Sequence, residues 1–582
     1  MTKAASGKRW TLRTVDPDCA AAIEAEIGCP RALARILAGR GVRAGEAEKY
    51  LNPSLRDGLP DPSSLVDMDR AAARLAAAVM AGERCGVFGD YDVDGTSGSA
   101  ILKGYFDALE APLDVYLPDR ILEGYGPTVE AFRTLKDAGV KIIITVDCGA
   151  AAHLAVDAAA REGLEVIVLD HHQMDGPPPA GAFATVNPNR PDDRSGLSSL
   201  SAAGVAFMAI IAINRTLKSA GYFDGRKAPD LLQFLDLVAL GLVCDVMPMT
   251  GLARTLTAQG LKVLGAGGNP GLKALGVRAG VSASPSAYDL GFLLGPRINA
   301  AGRIGHARLA FELLTTSDVE RRSLLAERLH VMNAERQLIE KDVQEAAIAL
   351  IERDRLDRRA VIVAAGEGWH PGVIGIVAGR IKERFDRPTI IIAMDGEVGK
   401  GSARSLYGVD IGAAFRAAKK EGFLVSGGGH AMAAGLTIDS SAIADFVEFI
   451  ETYCRDDVDA ALMNQVREID DVIAPSAVSG AFAELIARAG PFGPGNPEPV
   501  FALASIRVDR PKIVGGNHVA CELVSATGER IRAIAFRAAG EALGALLLGG
   551  ARFHVAGRIK ADAWRGGGAA QFQIVDAAEA AP

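Results

Sequence analysis

A chain of 582 residues with 49% hydrophobic content exceeds what one core can organise, so two to four globular domains are expected. No run of about 18 residues escapes charge or Gly/Pro interruption and the N-terminus has no signal-like apolar core, which argues against a membrane span and points to the cytoplasm. Seven dispersed cysteines without a Cys-x-x-Cys argue against a disulfide framework and a zinc ribbon, whereas the net charge of −8 still leaves room for a local basic groove.

Residues 1–55 read as a polar-capped helical segment, closed by the Pro-rich stretch NPSLRDGLPDPSS at 52–64. From 56 to 305 short apolar runs alternate with helical stretches, the pattern of βα units in a parallel sheet. CGVFG (85–89), KIIITV (141–146), EVIVL (165–169) and LDLVALGLVC (235–244) are each expected as strands. They lead into Asp90, Asp92 and Asp94, into Asp147, into Asp170, His171 and His172, and into Asp245. Loops at the carboxyl ends of parallel strands converge on one crevice, so hard oxygen and imidazole donors gather in a pocket suited to a two-metal phosphoesterase.

Within Asp90-Tyr-Asp92-Val-Asp94-Gly95, alternate carboxylates on an extended loop can face one cation, with a helix expected from near Ser97. An EF-hand opens in the same way, but it would need a Glu where Ile101 stands and a helix where a strand precedes. A lone Asp such as Asp147 or Asp245 is also a natural helix N-cap, and its weight as a ligand comes from joint placement. Two adjacent imidazoles beside Asp170 are costly to bury without a metal or a phosphate. Cys148 and Cys244 read as small buried hydrophobes.

Between Ser317 and about Arg353 there is no Gly or Pro, and Leu325, Leu329, Met332, Leu338, Ile339, Val343, Ala346 and Leu350 recur at helical spacing. Residues 306–355 are therefore expected as a rigid helical connector. A second α/β lobe follows at 356–475, with strands at AVIVAA (360–365) and PTIIIAM (388–394) and a glycine cluster at Ser426–His430. That cluster is open to two readings, a flexible turn or a nest of backbone amides around a phosphate. The region 476–582 carries five short β-like runs, VFALASIRV, HVACELV, RIRAIAF, RFHVAGRI and QFQIVD, the signature of a small OB-like barrel. Over 501–582, 10 Lys and Arg stand against 7 Asp and Glu, a local balance of +3 that suits a platform for a single nucleic-acid strand.

Asp90-Tyr-Asp-Val-Asp-Gly, Thr145-Val-Asp-Cys-Gly, Leu169-Asp-His-His and Gly241-Leu-Val-Cys-Asp245 resemble the four motifs of the DHH phosphoesterase superfamily, in its order. Gly295–Gly305, Trp369–Arg380, Gly427–Gly435 and Pro491–Phe501 are similar to segments of its RecJ family of single-strand-specific DNA exonucleases. The resemblance runs from about Pro53 into the C-terminal barrel. It implies an α/β protein in which a DHH domain and a DHH-associated domain are joined by a long helix and followed by an OB-fold-like barrel. It also implies metal ligation by Asp92, Asp94, Asp147, His171 and Asp245, with Asp90 a further candidate, and a substrate-phosphate contact at His172.

In the resemblance the second lobe holds the strand terminus and backbone, which assigns Ser402, Arg404, Gly427, Gly428, Gly429 and His430. Arg120, Arg297, Asn299 and Arg303 would line the groove, although each arginine unaided reads as a solvated surface residue. Leu242-Val-Cys244 replaces the family's small polar run and Met249–Arg254 lacks an acidic–Asn pair; neither departure touches a ligand. The implied activity is 5′-to-3′ hydrolysis of single-stranded DNA to mononucleotides with two divalent cations, Mn²⁺ or Mg²⁺, in DNA repair and recombination. A single-strand-binding protein and a RecQ-type helicase are implied partners. The rivals are a superfamily phosphodiesterase acting on nanoRNA or cyclic dinucleotides, which the extra barrel disfavours, and an inactive DNA-binding scaffold, which the intact acids disfavour.

Overall fold

The computed structural model describes residues 4–174, 176–561 and 568–579, and the chain separates into two compact units. The larger unit, Pro60–Asp245 with Gly260–Asn464, holds two sheets and the long helix. Its first sheet is parallel throughout, in the order Leu113–Tyr116, Cys85–Gly89, Ile142–Val146, Glu165–Leu169, Ala182–Val186. Val87, Ile143, Ile144 and Val166–Leu169 are fully buried, which explains why these strands read as continuous apolar runs and not as alternating ones. From Cys85–Gly89 the chain first goes outward to Leu113–Tyr116 and then returns to the opposite neighbour, Ile142–Val146. The carboxyl ends of those two adjacent strands are therefore a topological switch point, and they deliver Asp90 and Asp147.

The fourth expected strand is a helix. Leu235–Cys244 is helical and buried on nearly every side, with Asp236 at its first turn accepting the amides of Leu237 and Asn269. An apolar run of this kind has no periodicity to separate a buried strand from a buried helix, and its ten-residue length and its Leu content favour the helix. Asp245 is consequently a helix C-cap and not a strand end.

The long helix expected of the connector forms over Val319–Asp354, N-capped by Asp318 and ended by Arg355 in a left-handed conformation, but it starts later than the expected 306 because Arg308–Thr315 is a separate helix that ends at the extended Thr316. Leu325, Leu329, Met332 and Val343 are its buried face, whereas Leu338 is exposed. The second sheet is mixed, in the order Ser426–His430, Ala433–Asp439, Val398–Arg404, Thr389–Asp395, Ile362–Glu367. The glycine cluster is thus an edge strand with Gly428 opposite Gly435. Neither a flexible turn nor a nest results, because successive amides of a strand point to opposite sides. Glycine is required there by crowding: a Cβ on Gly429, whose φ is +146°, would sit 2.6 Å from Ala433 O.

The smaller unit comprises the described residues of Met1–Leu59, Val246–Gln259 and Gln465–Pro582. Phe501–Val514, His518–Val524, Arg530–Ala535, Ala570–Glu579 and Arg552–Ala561 follow one another in a sheet, and pairing of the first with the last closes the barrel. All five expected strands are present. The first helices are not a free-standing segment, since Ile23, Leu33, Ile36 and Leu37 share one core with Phe501, Val519 and Phe572. Arg9–Leu12 adds an unexpected strand, parallel to Val466–Ile469. In the Pro491–Phe501 segment Asn496 donates to Ala489 O and Pro491 O and accepts from Arg40, so that motif is a structural clasp of this unit. Among the described residues no helix is long and apolar enough to cross a membrane.

Candidate active site

Asp92 is not part of an extended loop. It is the N-cap of helix Val93–Ala108, its Oδ1 accepting from Asp94 N at 2.8 Å and Gly95 N at 3.1 Å, so the helix starts four residues before Ser97. A Cβ on Gly95 would lie 2.5 Å from Asp90 O, so only glycine lets the chain turn this tightly from strand to helix. Asp94, in the first turn, is buried and accepts from Ala202 N at 2.6 Å and Ala203 N at 3.1 Å, at the N-terminus of helix Ala202–Ser219. Asp147 follows its strand in the left-handed region, φ +64°, and caps no helix, since the next one begins at His153. The capping role therefore belongs to Asp92, whereas the capping alternative fails for Asp147.

Asp170 organises the third cluster. Its carboxylate accepts from Ala150 N, His171 N and His172 N and pairs with His172 Nδ1 at 2.7 Å. His171 Nε2 then lies 3.2 Å from Asp147 Oδ1, 3.3 Å from Asp245 Oδ2 and 3.9 Å from Asp94 Oδ2. The donors Asp94, His171 and Asp245 form one group with all atoms within 4.8 Å, and Asp90, Asp92 and Asp147 form another. A third overlapping group joins Asp147 and His171 to His172. The structure thus brings together every residue expected from sequence at the metal centre.

Burial, reinforced by neighbouring carboxylates, holds Asp90, Asp94, Asp147 and Asp245 above the usual carboxylate range. Burial, with the charge of His172 and of His430 beside it, lowers His171 to about 4, leaving a neutral imidazole with a lone pair to give. Asp90 Oδ1 and His171 Nε2 are buried without a hydrogen-bond partner. Clustered carboxylates that repel one another, a neutral imidazole and orphaned acceptors are the donor set of a hard or borderline divalent cation, and the residues fit one. His172 differs. Burial, the largest single influence, pushes it down, but the hydrogen bond it donates to Asp170 together with the charges of Asp170, Asp245 and Asp92 outweighs burial and raises it to about 9, so it carries a proton at neutral pH. Tyr125 donates toward Asp147 O at 3.1 Å and lies 3.2 Å from His172 Nδ1. Asp170 as organiser and Tyr125 were not assigned from sequence: Tyr125 acts through tertiary contacts that no spacing encodes, whereas Asp170 bonds mainly to the two residues that follow it, a local signal already present in the Asp-His-His run.

Beside this cluster is a cavity of about 360 Å³ lined by Arg120, Arg303, Gly372, Gly375, Lys400, Ser402 and Arg404, with Ser426 the one residue of the glycine strand that reaches it. Arg120 stacks on the ring of Tyr91, the residue between Asp90 and Asp92, at 4.7 Å. Arg303 donates to Gly372 O at 2.9 Å, and burial together with Arg120 brings it down to about 9. Arg404 Nη1 donates to Ser402 Oγ and Ala403 O. None of the four cations Arg120, Arg303, Lys400 and Arg404 has a carboxylate partner among the described residues. Four of the expected substrate residues, Arg120, Arg303, Ser402 and Arg404, therefore converge. Others do not: Arg297 turns to His330 and Leu293 O, and Asn299, Gly427, Gly428, Gly429 and His430 stay outside the lining. Lys400, Gly372 and Gly375 were not singled out. The signal for the two glycines was the Trp369–Arg380 motif, since a Cβ on Gly375 would fall 2.9 Å from Ser402 Oγ.

Sequence profiles of known families match three stretches: DHH family, N-terminal domain, over residues 84–242; DHHA1 domain over 358–456; and RecJ OB domain over 469–576. The chain is 36% identical over 521 residues to the single-stranded-DNA-specific exonuclease RecJ of Escherichia coli K12, covering 87% of this chain and 89% of that protein. The crystal structure of RecJ from Thermus thermophilus in complex with Mn²⁺ superposes with a TM-score of 0.82 at 31% identity, over 99% of this chain and 80% of that one. The Mg²⁺ complex of the same protein gives 0.76 at 30% identity, over 99% and 79%.

Proposed function

This chain belongs to the RecJ family of single-stranded-DNA-specific exonucleases, and we propose that it degrades single-stranded DNA from the 5′ end to mononucleotides. The observation that carries the direction is the anion-seeking cavity beside the acidic cluster. Arg120, Arg303, Lys400 and Arg404 face one space with no carboxylate at ion-pair distance among the described residues, and a terminal phosphate, with one more charge than an internal diester, satisfies them best. With the 5′ phosphate held there, the strand is measured inward toward Asp90, Asp92, Asp94, Asp147, His171 and Asp245.

Two divalent cations, Mn²⁺ or Mg²⁺, would be held by those six residues and would supply positive charge to the scissile phosphate and a water of lowered pKa. The presence of His171 among the carboxylates favours Mn²⁺. Ala202 N and Ala203 N fix both oxygens of Asp94, and Asp170 fixes both histidine backbones, so the donors are preorganised and need no rearrangement. His172, kept protonated by Asp170, donates a charge-assisted hydrogen bond to a non-bridging phosphate oxygen. A single strand, the same strand in duplex and a cyclic dinucleotide incubated with Mn²⁺ test the reading. Turnover of the single strand alone is expected, and preferential turnover of the dinucleotide would refute it.

A further inference from the structure

The helix that carries Arg297, Asn299 and Arg303 begins in a turn that the reaction as described leaves unused. Asp289–Leu294 is a π-helical turn that runs without interruption into Gly295–Ile304. Leu290 and Leu294 are buried, and the turn is seated on the support of Asp245: Cys244 Sγ donates to Leu290 O at 3.5 Å, and a Cβ on Gly295 would fall 2.3 Å from the same sulfur. On the open side stand Tyr288 and Phe292, 62% and 67% exposed, stacked with ring centroids 4.8 Å apart and planes 22° apart. Two large exposed rings that serve no core mark a contact surface, and π-turns recur at functional sites.

We propose that Tyr288 and Phe292 are a base-stacking platform for the single strand on the 3′ side of the scissile phosphate. The proposal rests on the reading given above. The occupant follows from continuity: going along one helix axis from Arg303, in the phosphate cavity, the chain passes Gly295, beside the neighbour of Asp245, and reaches the aromatic pair. Tyr288 and Arg303 are 15 residues apart, about 22 Å at the helical rise of ~1.5 Å per residue. That distance spans no more than about six nucleotides at the duplex rise of 3.4 Å per base and fewer in a stretched strand. A strand whose 5′ phosphate is in the cavity therefore arrives at the rings within its first several nucleotides. Unpaired bases offer free faces to aromatic rings, whereas the bases inside a duplex are covered by their neighbours, so the platform discriminates in favour of the single strand.

The test uses the full chain with Mn²⁺ and 5′-phosphorylated substrates: a ten-nucleotide strand, the same strand with abasic sites at its third to sixth positions, and a dinucleotide. The Y288A/F292A double variant is expected to lose about fivefold to hundredfold in kcat/KM on the intact strand, the range of one stacked base removed by truncation, and nothing on the dinucleotide. On the abasic strand wild type and variant are expected to be equal. Tyr288→Phe with Phe292→Trp keeps two ring faces and is expected to restore the intact-strand rate. Equal losses on the ten-mer and the dinucleotide, a loss that persists on the abasic strand, or no loss at all would each overturn the platform. Loss accompanied by a shift from dimer to monomer in sedimentation would assign the rings to a second copy instead, and also overturn it. Failure of the wild type to degrade any single strand would be a failure of the functional reading and is separately visible.

Discussion

If the cavity holds a 5′ phosphate as proposed, Arg404→Ala should narrow the preference for a 5′-phosphorylated strand over a 5′-hydroxyl strand. Arg404 is largely buried, with its charge disfavoured by burial and by Arg120 nearby. Its Nη1 is spent on Ser402 Oγ and Ala403 O, which aims the guanidinium and leaves Nη2, on the side of Gly375, for a phosphate oxygen. One charge-assisted hydrogen bond contributes about 1.5–3 kcal/mol, so roughly a tenfold to hundredfold loss in kcat/KM is expected on a 5′-phosphorylated strand. A 5′-hydroxyl strand lacks the extra oxygen charge and should lose far less. Since Arg404 pairs with no carboxylate among the described residues, its removal leaves no buried anion behind, and the variant should melt close to wild type. The assay is initial rates on matched strands that differ only in the 5′ group. Equal losses on both would show that Arg404 grips the chain generally, and the argument for direction from this cavity would fail.

Asp170→Asn removes the partner that raises His172 to about 9, so the alkaline limb of the pH–rate profile should move toward the ordinary histidine value near 6.5; an unmoved limb would detach His172 from the rate. For the metal-free protein, Asp94 and Asp245 are raised to about 7 and about 8 by burial and mutual repulsion, so their contribution to stability is full below the unfolded value of 3.8 and is lost as pH rises through 7 and 8. His172 loses its own contribution over the range from 6.5 to about 9, while His171, lowered to about 4, has already regained its contribution by pH 6.5. The unfolding free energy without metal, and Tm with it, should therefore fall between about pH 6.5 and 8.5, by about 1.4 kcal/mol per pH unit for each proton the folded state binds in excess of the unfolded one, and saturating Mn²⁺ should reduce the fall; a flat profile would contradict the site's electrostatics. On the barrel, Arg507 and Lys512 are exposed, and their joint replacement by Ala should lower the slope of log affinity against log salt for a long strand by about 1.4, at ~0.7 per phosphate contact, while short strands keep their affinity. An unchanged slope would remove this face from the account.

The strands that carry the acids were legible where burial on both faces leaves a continuous β-branched run, as in Ile142–Val146 and Glu165–Leu169. The same criterion failed at Leu235–Cys244, where a helix buried all round shows an equally unbroken apolar run. Val398–Arg404 and Ser426–His430 were missed as strands because Lys, Gly, Ser and Arg have no intrinsic β preference there; their neighbours in the sheet impose the conformation. The ligand set was legible because residue chemistry and order suffice to name it. The roles of Tyr125 and the Ala202 and Ala203 amides were not, since each depends on which loop the fold places opposite, whereas that of Asp170 rests mainly on the two residues next to it. The sharing of one core by the first helices and the barrel was equally invisible, and it means that a chain cut near Ala489 would expose Ile23, Leu33 and Ile36. Charge replacement on the intact barrel is therefore the cleaner probe.

The central claim is that the Asp/His cluster hydrolyses single-stranded DNA from its 5′ end, and end-label release with Mn²⁺ tests it most directly. A 5′-labelled strand should yield labelled mononucleotide from the first time point, the same strand labelled at its 3′ end should shorten progressively, and both signals should vanish with chelator or in Asp147→Ala while strand binding persists. Label released first from the 3′ end, or turnover surviving in Asp147→Ala, would contradict the account.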